Sequence, residues 1–368
     1  MPEEDNAIEF RYCGLRPQPE PSMPEGLNLE RVRAIVRTRS KWANGTVLHY
    51  YFFDRDTDGE QVRLSDGSTR FVSWVGAQEQ REVVRRAFAT WQELGIGLRF
   101  EEVPDRAQSE LRIGFMDGDG SWSYVGRDVV LHAGVNDRTM NFGWDLTADD
   151  YGMTTALHEI GHTIGMPHEH QNPFAGIEWD EAKVYQSLSG PPNFWDRQTI
   201  FHNILRKLAT DEVTGSAWDP DSIMHYGFGP GLIRQPAQYA GGIRPPGVLS
   251  PVDKEFVRKW YPAPTGEPAA LEHLKTVQLE LTAGQQADFV ITPPATAKYQ
   301  IGTFGGSDSV LVLFEEVDGQ PVYLAGDDDS GTDLNALIEA KLLQGRRYLV
   351  RLRLYYSWSF GGVGLMYW

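Results

Sequence analysis

The sequence predicts an α+β domain followed by an all-β sandwich. Three observations carry that reading. A run at residues 158–170, HEIGHTIGMPHEH, repeats histidines at helical spacing. Around it, from residue 42 to about 262, strand-like and helix-like runs are interleaved. Beyond a Pro- and Gly-containing break, APTGEPA, short β-patterned runs separated by Gly/Asp turns extend to the end of the chain.

Taken in order, residues 1–41 form a lead-in segment. MPEEDNAIEFRYCGLRPQPEPSMPEG is Pro-rich and weakly periodic, and a short helical pattern, LNLERVRAIVRT, follows it. The basic run RTRSK, Arg37 to Lys41, is expected to be open to trypsin-like cleavage. TVLHYYFF is a strand, rich in aromatic and β-branched residues. In DRDTDGE, Asp54, Asp56, Asp58 and Gly59 match the first half of a calcium loop. The position for the closing bidentate glutamate is Ser65, so a hairpin turn is the preferred reading and Ca2+ remains only an alternative cofactor. AQEQREVVRRAFATWQEL carries Val83, Val84, Phe88, Trp91 and Leu94 at helical spacing. LRFEEV and ELRIGFMD read as short strands, and SWSYVGRDVVLHAG as a further strand.

TADDYGMTTALHEIGHTIG is the central helix, NFWDRQTIFHNILRKL is helix-rich, and WDPDSIMHYGFGPG is a loop. LSPVDKEFVRKWYP has Ser250 as N-cap, Pro251 in the first turn and Asp253 as capping acid. The expected organisation is a lead-in at 1–41, an α+β domain at 42–264 and a β-sandwich at 265–368.

Composition narrows the function classes. The chain of 368 residues is 41% hydrophobic and 12% aromatic, enough for two cored domains. Its net charge is −17, which disfavours nucleic acid and anionic membranes as partners. No apolar stretch approaches membrane-spanning length, so no membrane insertion is expected. A single cysteine excludes an internal disulfide framework. The opening MPEEDNAIEF lacks the basic start and apolar run of a signal peptide, which leaves intracellular residence or a non-classical export route open.

The run at 158–170 fits HExxHxxGxxH, with His158, Glu159, His162, Gly165 and His168 in the fixed places. Residues four apart share a helix face, so His158 and His162 can turn ring nitrogens to one metal ion. Gly165 permits the reversal that returns His168 to the same point, and Pro167 stiffens that approach. Three neutral imidazoles with an open fourth position are the layout of a catalytic Zn2+ site, and one such ion is the expected cofactor. Glu159 lies beside the first ligand, placed to take a proton from an activated water.

With the later run DSIMHYG, these residues make the chain resemble the astacin family of zinc endopeptidases, in the metzincin clan. The resemblance covers roughly residues 42–262. It implies a metzincin catalytic domain with a mixed twisted sheet, helices and a zinc cleft. It also implies Met224 in the turn beneath the metal and Tyr226 as a further zinc ligand that swings to stabilise the intermediate. Glu169, after the third histidine, matches the residue that astacins pair with a freed mature N-terminus. A secreted, extracellular protein is implied as well. The chain departs from the family in lacking its disulfide cysteines and its aspartate latency motif. SDSVLVLFEEVDGQPVYLAGDDDSG and LLQGRRYLVRLRL resemble the bacterial pre-peptidase C-terminal domain, an accessory β-sandwich.

Cys13 is the other residue singled out. A thiolate is a good fourth zinc ligand, and RYCG resembles the cysteine switch of matrix metalloproteinases, implying a zymogen. The expected partner is a protein or peptide substrate, bound by strand addition along Ser121–Asp128, with Trp122, Ser123 and Tyr124 at the contact. Arg234 or Arg244 is a candidate for lining the pocket after the scissile bond and favouring an acid there. A monomer is expected. Two other readings stand: a binding or adhesion protein on an inactive zinc scaffold, and a zinc hydrolase of a non-protein substrate.

Overall fold

The computed structural model describes residues 11–15, 41–42, 44–64, 66–191, 193–208, 218–263, 268–281, 285–317, 320–355 and 359–368. The helical pattern at 27–38, Arg37 to Ser40 of the basic run, Ser65 and the break at 264–267 lie outside the described residues; Lys41 is buried.

The elements before the central helix are β1 (Val47–Phe52), β2 (Gly59–Arg63), β3 (Thr69–Ser73), α1 (Gln78–Gln92), β4 (Arg99–Glu102), β5 (Leu111–Gly114), β6 (Trp122–Ser123), α2 (Asp128–His132) and β7 (Met140–Asn141). A mixed five-stranded sheet has the order β4-β1-β5-β7-β6. β1, β5 and β7 run parallel, and β6 returns antiparallel at the edge, pairing Trp122 with Asn141 and Ser123 with Met140. Val83, Val84, Ala87, Phe88 and Trp91 form the buried face of α1, as their spacing requires. Phe88 stacks on Tyr50 at 4.3 Å between centroids.

Two local readings are corrected. β2 and β3 form the hairpin, closed where the Leu64 N–H bonds the Ser68 carbonyl rather than in DRDTDGE. Asp58 instead accepts from the backbone N–H of Asp54 and Arg55 and pairs with the Arg106 guanidinium at 2.8 Å, closing the link between β1 and β2. The run SWSYVGRDVVLHAG is not one strand: β6 ends at Ser123, and 128–132 is helical. Gly126 sits at φ +50 and donates its N–H to the His162 carbonyl at 2.8 Å, which turns the chain before the β-branched residues could extend the sheet.

The central helix is α3 (Tyr151–Thr163); β8 (Glu178–Trp179), α4 (Glu181–Leu188), α5 (Arg197–Ile200), β9 (Ile233–Gln235) and α6 (Pro251–Trp260) follow. Every α3 residue from Thr155 on is buried. Trp91 donates its indole N–H to the Leu157 carbonyl at 3.1 Å, locking α1 to α3. A π-helical turn at Phe201–Leu205 continues α5.

The remaining strands are β10 (Ala269–Ala270), β11 (Val277–Leu281), β12 (Gln286–Ile291), β13 (Ala297–Phe304), β14 (Ser309–Val317), β15 (Gln320–Asp327), β16 (Leu337–Leu342), β17 (Tyr348–Leu354) and β18 (Gly361–Tyr367). They form two sheets, β10-β12-β17-β14-β15 and β11-β18-β13-β16. Ile291, Leu313, Val350 and Leu352 of the first share one core with Ile301, Ile338, Val363 and Leu365 of the second, so the expected all-β sandwich is present. Each such fully buried aliphatic side chain contributes roughly 1.5–3 kcal/mol. By compactness the chain divides into one unit of residues 1–41, 49–91 and 102–254, and another of 42–48, 92–101 and 255–368.

Candidate active site

The site begins with α3 and how it stops. At its C-terminal end Gly165 takes φ +95, its N–H bonding the His162 carbonyl at 2.8 Å and the Met166 N–H bonding the Gly161 carbonyl at 3.0 Å. This reversal brings His168 back against the helix. The Nε2 atoms of His162 and His168 lie 3.1 Å apart, and ligand atoms of Cys13, His158, His162 and His168 fall within 4.8 Å of one another, all four residues buried. Carbonyl oxygens hold two of the rings by their other nitrogen: Ile223 O against His158 Nδ1 and Met166 O against His162 Nδ1, each at 2.8 Å. With Nδ1 donating there, Nε2 is left with a lone pair for a metal. His158 Nε2 has no protein partner. Such buried, unmatched imidazole nitrogens fit a Zn2+ ion, and the donor set of three imidazoles and one thiol suits it.

Burial sets the protonation states. It pulls His158 down to about 4, and it holds His162 and His168 well below the usual imidazole range, with neighbouring imidazoles adding to the effect. The ligands are therefore neutral at neutral pH. Glu159 is fully buried and burial raises its carboxyl to about 8; its Oε2 accepts the Cys13 thiol at 3.5 Å, while Oε1 has no partner.

The floor is built by the turn at 222–226. Met224 is buried, and a Cβ on Gly161 would come within 2.3 Å of its Sδ, so glycine is needed where helix and turn meet. Asp253, the N3 acid of α6, exchanges capping bonds with Ser250 and reaches across to the Ser222 hydroxyl at 2.6 Å and the Ile223 N–H at 2.8 Å. Asp253→Ala is expected to strand three buried donors and cost about 3 kcal/mol, read by calorimetry as a lower melting temperature, with looser zinc binding.

Tyr226 reaches the cluster from the same turn. Its hydroxyl donates to the Cys13 carbonyl at 2.6 Å and lies 2.5 Å from His168 Nε2. Glu169 is half-buried; its Oε1 accepts from Asn172 Nδ2 at 2.9 Å and from the Asp219 N–H at 3.0 Å, and desolvation raises its carboxyl to about 7. His170 and His225 are buried, each with a ring nitrogen against a carbonyl oxygen, of Asn203 and Tyr226 respectively.

At the sheet edge, Trp122 is buried and donates to Asp119 at 3.2 Å, the Ser123 hydroxyl meets Thr163, and Tyr124 packs edge-on to Trp122. Arg234 is placed apart from these groups: most of its side chain is in solvent and its guanidinium faces Asp180 at 3.3 Å.

Several contributors lie outside the motifs. Tyr12 packs on Tyr226 and Phe228; Tyr151 donates its hydroxyl to the Arg11 carbonyl at 2.7 Å; Asn203, presented by the π-helical turn, accepts the Leu15 N–H at 2.9 Å. Only Tyr12 had a signal, its place beside Cys13.

Two imidazoles on a helix that ends in a glycine reversal and a third just beyond it, with a methionine turn beneath them and a buried glutamate beside them, form a zinc site of the metzincin type. Comparison with known proteins agrees. Residues 70–229 match the family model of the Astacin peptidases. Protein SpAN of Strongylocentrotus purpuratus is 32% identical over 174 residues, covering 46% of this chain and 25% of that protein. Zinc metalloproteinase nas-36 of Haemonchus contortus is 28% identical over 45% of this chain and 25% of its own. The chain thus spans about a quarter of the length of these two curated relatives. The solved structure of myroilysin is 31% identical with a TM-score of 0.52, covering 62% of this chain and 98% of that one. The chain belongs to the astacin family.

Proposed function

We infer that this chain hydrolyses internal peptide bonds of protein substrates at the His158–His162–His168 cluster, and that residues 11–15 hold it latent. The observation that carries the reading is the convergence of three buried imidazoles beside a buried, half-unsatisfied Glu159. His158, His162 and His168 would hold Zn2+, with the Cys13 sulfur as fourth donor in the uncut chain and Tyr226 as a further ligand once that segment has left. Bound there, Zn2+ supplies positive charge that polarises a carbonyl, acidifies a water and favours the ionised form of Glu159.

Glu159 then takes the proton of the attacking water and returns it to the leaving amine. Tyr226 donates a hydrogen bond to the oxyanion developing on the scissile carbonyl; Tyr226→Phe is expected to lower kcat roughly 100- to 1,000-fold with KM little changed, in steady-state peptide assays. The edge strand β6 supports strand addition, because Ser121 O already accepts the Gly14 N–H at 3.1 Å. Zinc analysis together with casein cleavage blocked by a chelator tests the whole reading. Stoichiometric zinc without cleavage, before and after limited trypsin treatment, would favour an inactive scaffold; cleavage of esters but not casein would favour a non-protein substrate.

Latency has its own support. The Cys13 thiol is buried among the ligand atoms, and the backbone on either side of it is tied down at Arg11 O and Leu15 N. Removal of residues 1–41 by cleavage near Arg39 would free the cleft. The family resemblance supports a secreted protein; among the described residues no helix is long and apolar enough to cross a membrane. Residues 42–264 would act as the peptidase module and 265–368 as an accessory sandwich of the pre-peptidase C-terminal type.

A further inference from the structure

The geometry points to an aromatic side chain as the specificity element of the substrate: the cleft selects Tyr, Phe or Trp at one of the two residues flanking the scissile bond, and Tyr12 occupies that pocket in the uncut chain. This rests on the peptidase reading above and adds the substrate class to it.

Cys13 marks the reaction point, since its sulfur lies among the imidazole ligand atoms and 3.5 Å from Glu159. The neighbouring residue along the strap is therefore at the position a residue next to the cleaved bond would take. Tyr12 is 6% exposed there. Its ring stacks on Phe228 with centroids 5.7 Å apart and planes at 29°, meets Tyr226 edge-on at 5.3 Å, and is flanked by Trp195 at 6.2 Å. The buried aliphatic side chains of Ile200, Ile204 and Ile233 belong to the same core cluster. A ring seated this way gains face and edge contacts beyond its area, about 0.5–1.5 kcal/mol for each aromatic pair, which an aliphatic or acidic side chain would forgo.

The pocket walls also argue against an acid. Arg234, the cation expected from the sequence to attract one, is turned to Asp180 in solvent. Alongside the strap, a cavity of 440 Å³ opens between Trp122, Trp144 and Trp195, with Asp119 on its wall. Aromatic surface thus continues along the cleft; apart from Arg11 and Tyr12 of the strap itself, the ionisable group among the described residues lining it is Asp119, whose carboxylate pairs with Arg138 at 3.0 Å, so no unpaired cation of the cleft wall faces it.

Two measurements on the full chain test this. The zinc-loaded chain, activated by limited trypsin treatment, is given a degenerate peptide library and its cut sites are read by mass spectrometry. Tyr, Phe and Trp together should be enriched at one flanking position by at least about tenfold over Asp and Glu. A library that is cut with no aromatic enrichment, or with acids preferred, overturns the inference and leaves the peptidase reading intact; a library that is not cut at all removes both. The second measurement needs no activity. Cys13 is the single cysteine, so its rate of labelling by a disulfide reagent reports how firmly the strap is seated. Tyr12→Phe should label as slowly as the parent and Tyr12→Asp at least about tenfold faster, because a carboxylate is poorly accommodated among aromatic faces. Equal rates for Tyr12→Asp and the parent would show that the pocket does not hold the ring.

Discussion

Glu159→Gln should leave the zinc content of the chain unchanged and reduce casein and peptide hydrolysis by roughly 100- to 10,000-fold after activation, the range that a positioned general base contributes. The amide keeps the shape of the side chain but cannot accept a proton from water. Because Glu159 is not among the four residues whose donor atoms cluster, metal content read by atomic absorption should stay at one ion per chain. His162→Ala is the contrasting control, since it removes a donor whose ring is itself held by the Met166 carbonyl, and both metal and activity should go. Full turnover in Glu159→Gln would mean that another group moves the proton.

The second large effect is expected from Cys13→Ser in the uncut chain. A hydroxyl is a far weaker zinc ligand than a thiolate, so the fourth position opens to water while the rest of the strap is unchanged. Activity of the untreated protein should rise by more than about tenfold, and trypsin treatment, which removes the strap, should raise it further. The rise is limited because Tyr12 and the backbone bonds at residues 11, 14 and 15 still seat the strap. Unchanged activity in the uncut variant would place latency elsewhere.

What could be read from the sequence follows the range of each constraint. His158, His162 and His168 were legible because helix geometry and one glycine fix their relation over eleven residues. The capping pair Ser250 and Asp253 was legible for the same reason, being three apart. The second task of Asp253, holding Ser222 and Ile223, was not, because nothing in the local pattern points across thirty residues. The helix at 128–132 was hidden by its β-branched residues, and the long-range bond from Gly126 to His162 works against that preference. Strands β15 and β18 carry Pro321 and several glycines that weaken any strand signal, and pairing with β14 on one side and with β11 and β13 on the other forms them regardless. Tyr12 and Trp195 meet only through the tertiary fold, so the pocket could not be seen before the chain was folded.

The carboxylate that Asp253 lends to the methionine turn has a consequence for the order of assembly. A nascent chain that has emerged only as far as residue 226 already carries His158, His162 and His168, yet lacks the group that fastens the loop beneath them. The platform under the ion is finished only when residues 250–253 emerge, by which time the lead-in carrying Cys13 has long been available. On the proposed reading, the thiol that would restrain the site is thus made before the site itself, and a hydrolase assembled in that sequence would never be complete without its restraint at hand.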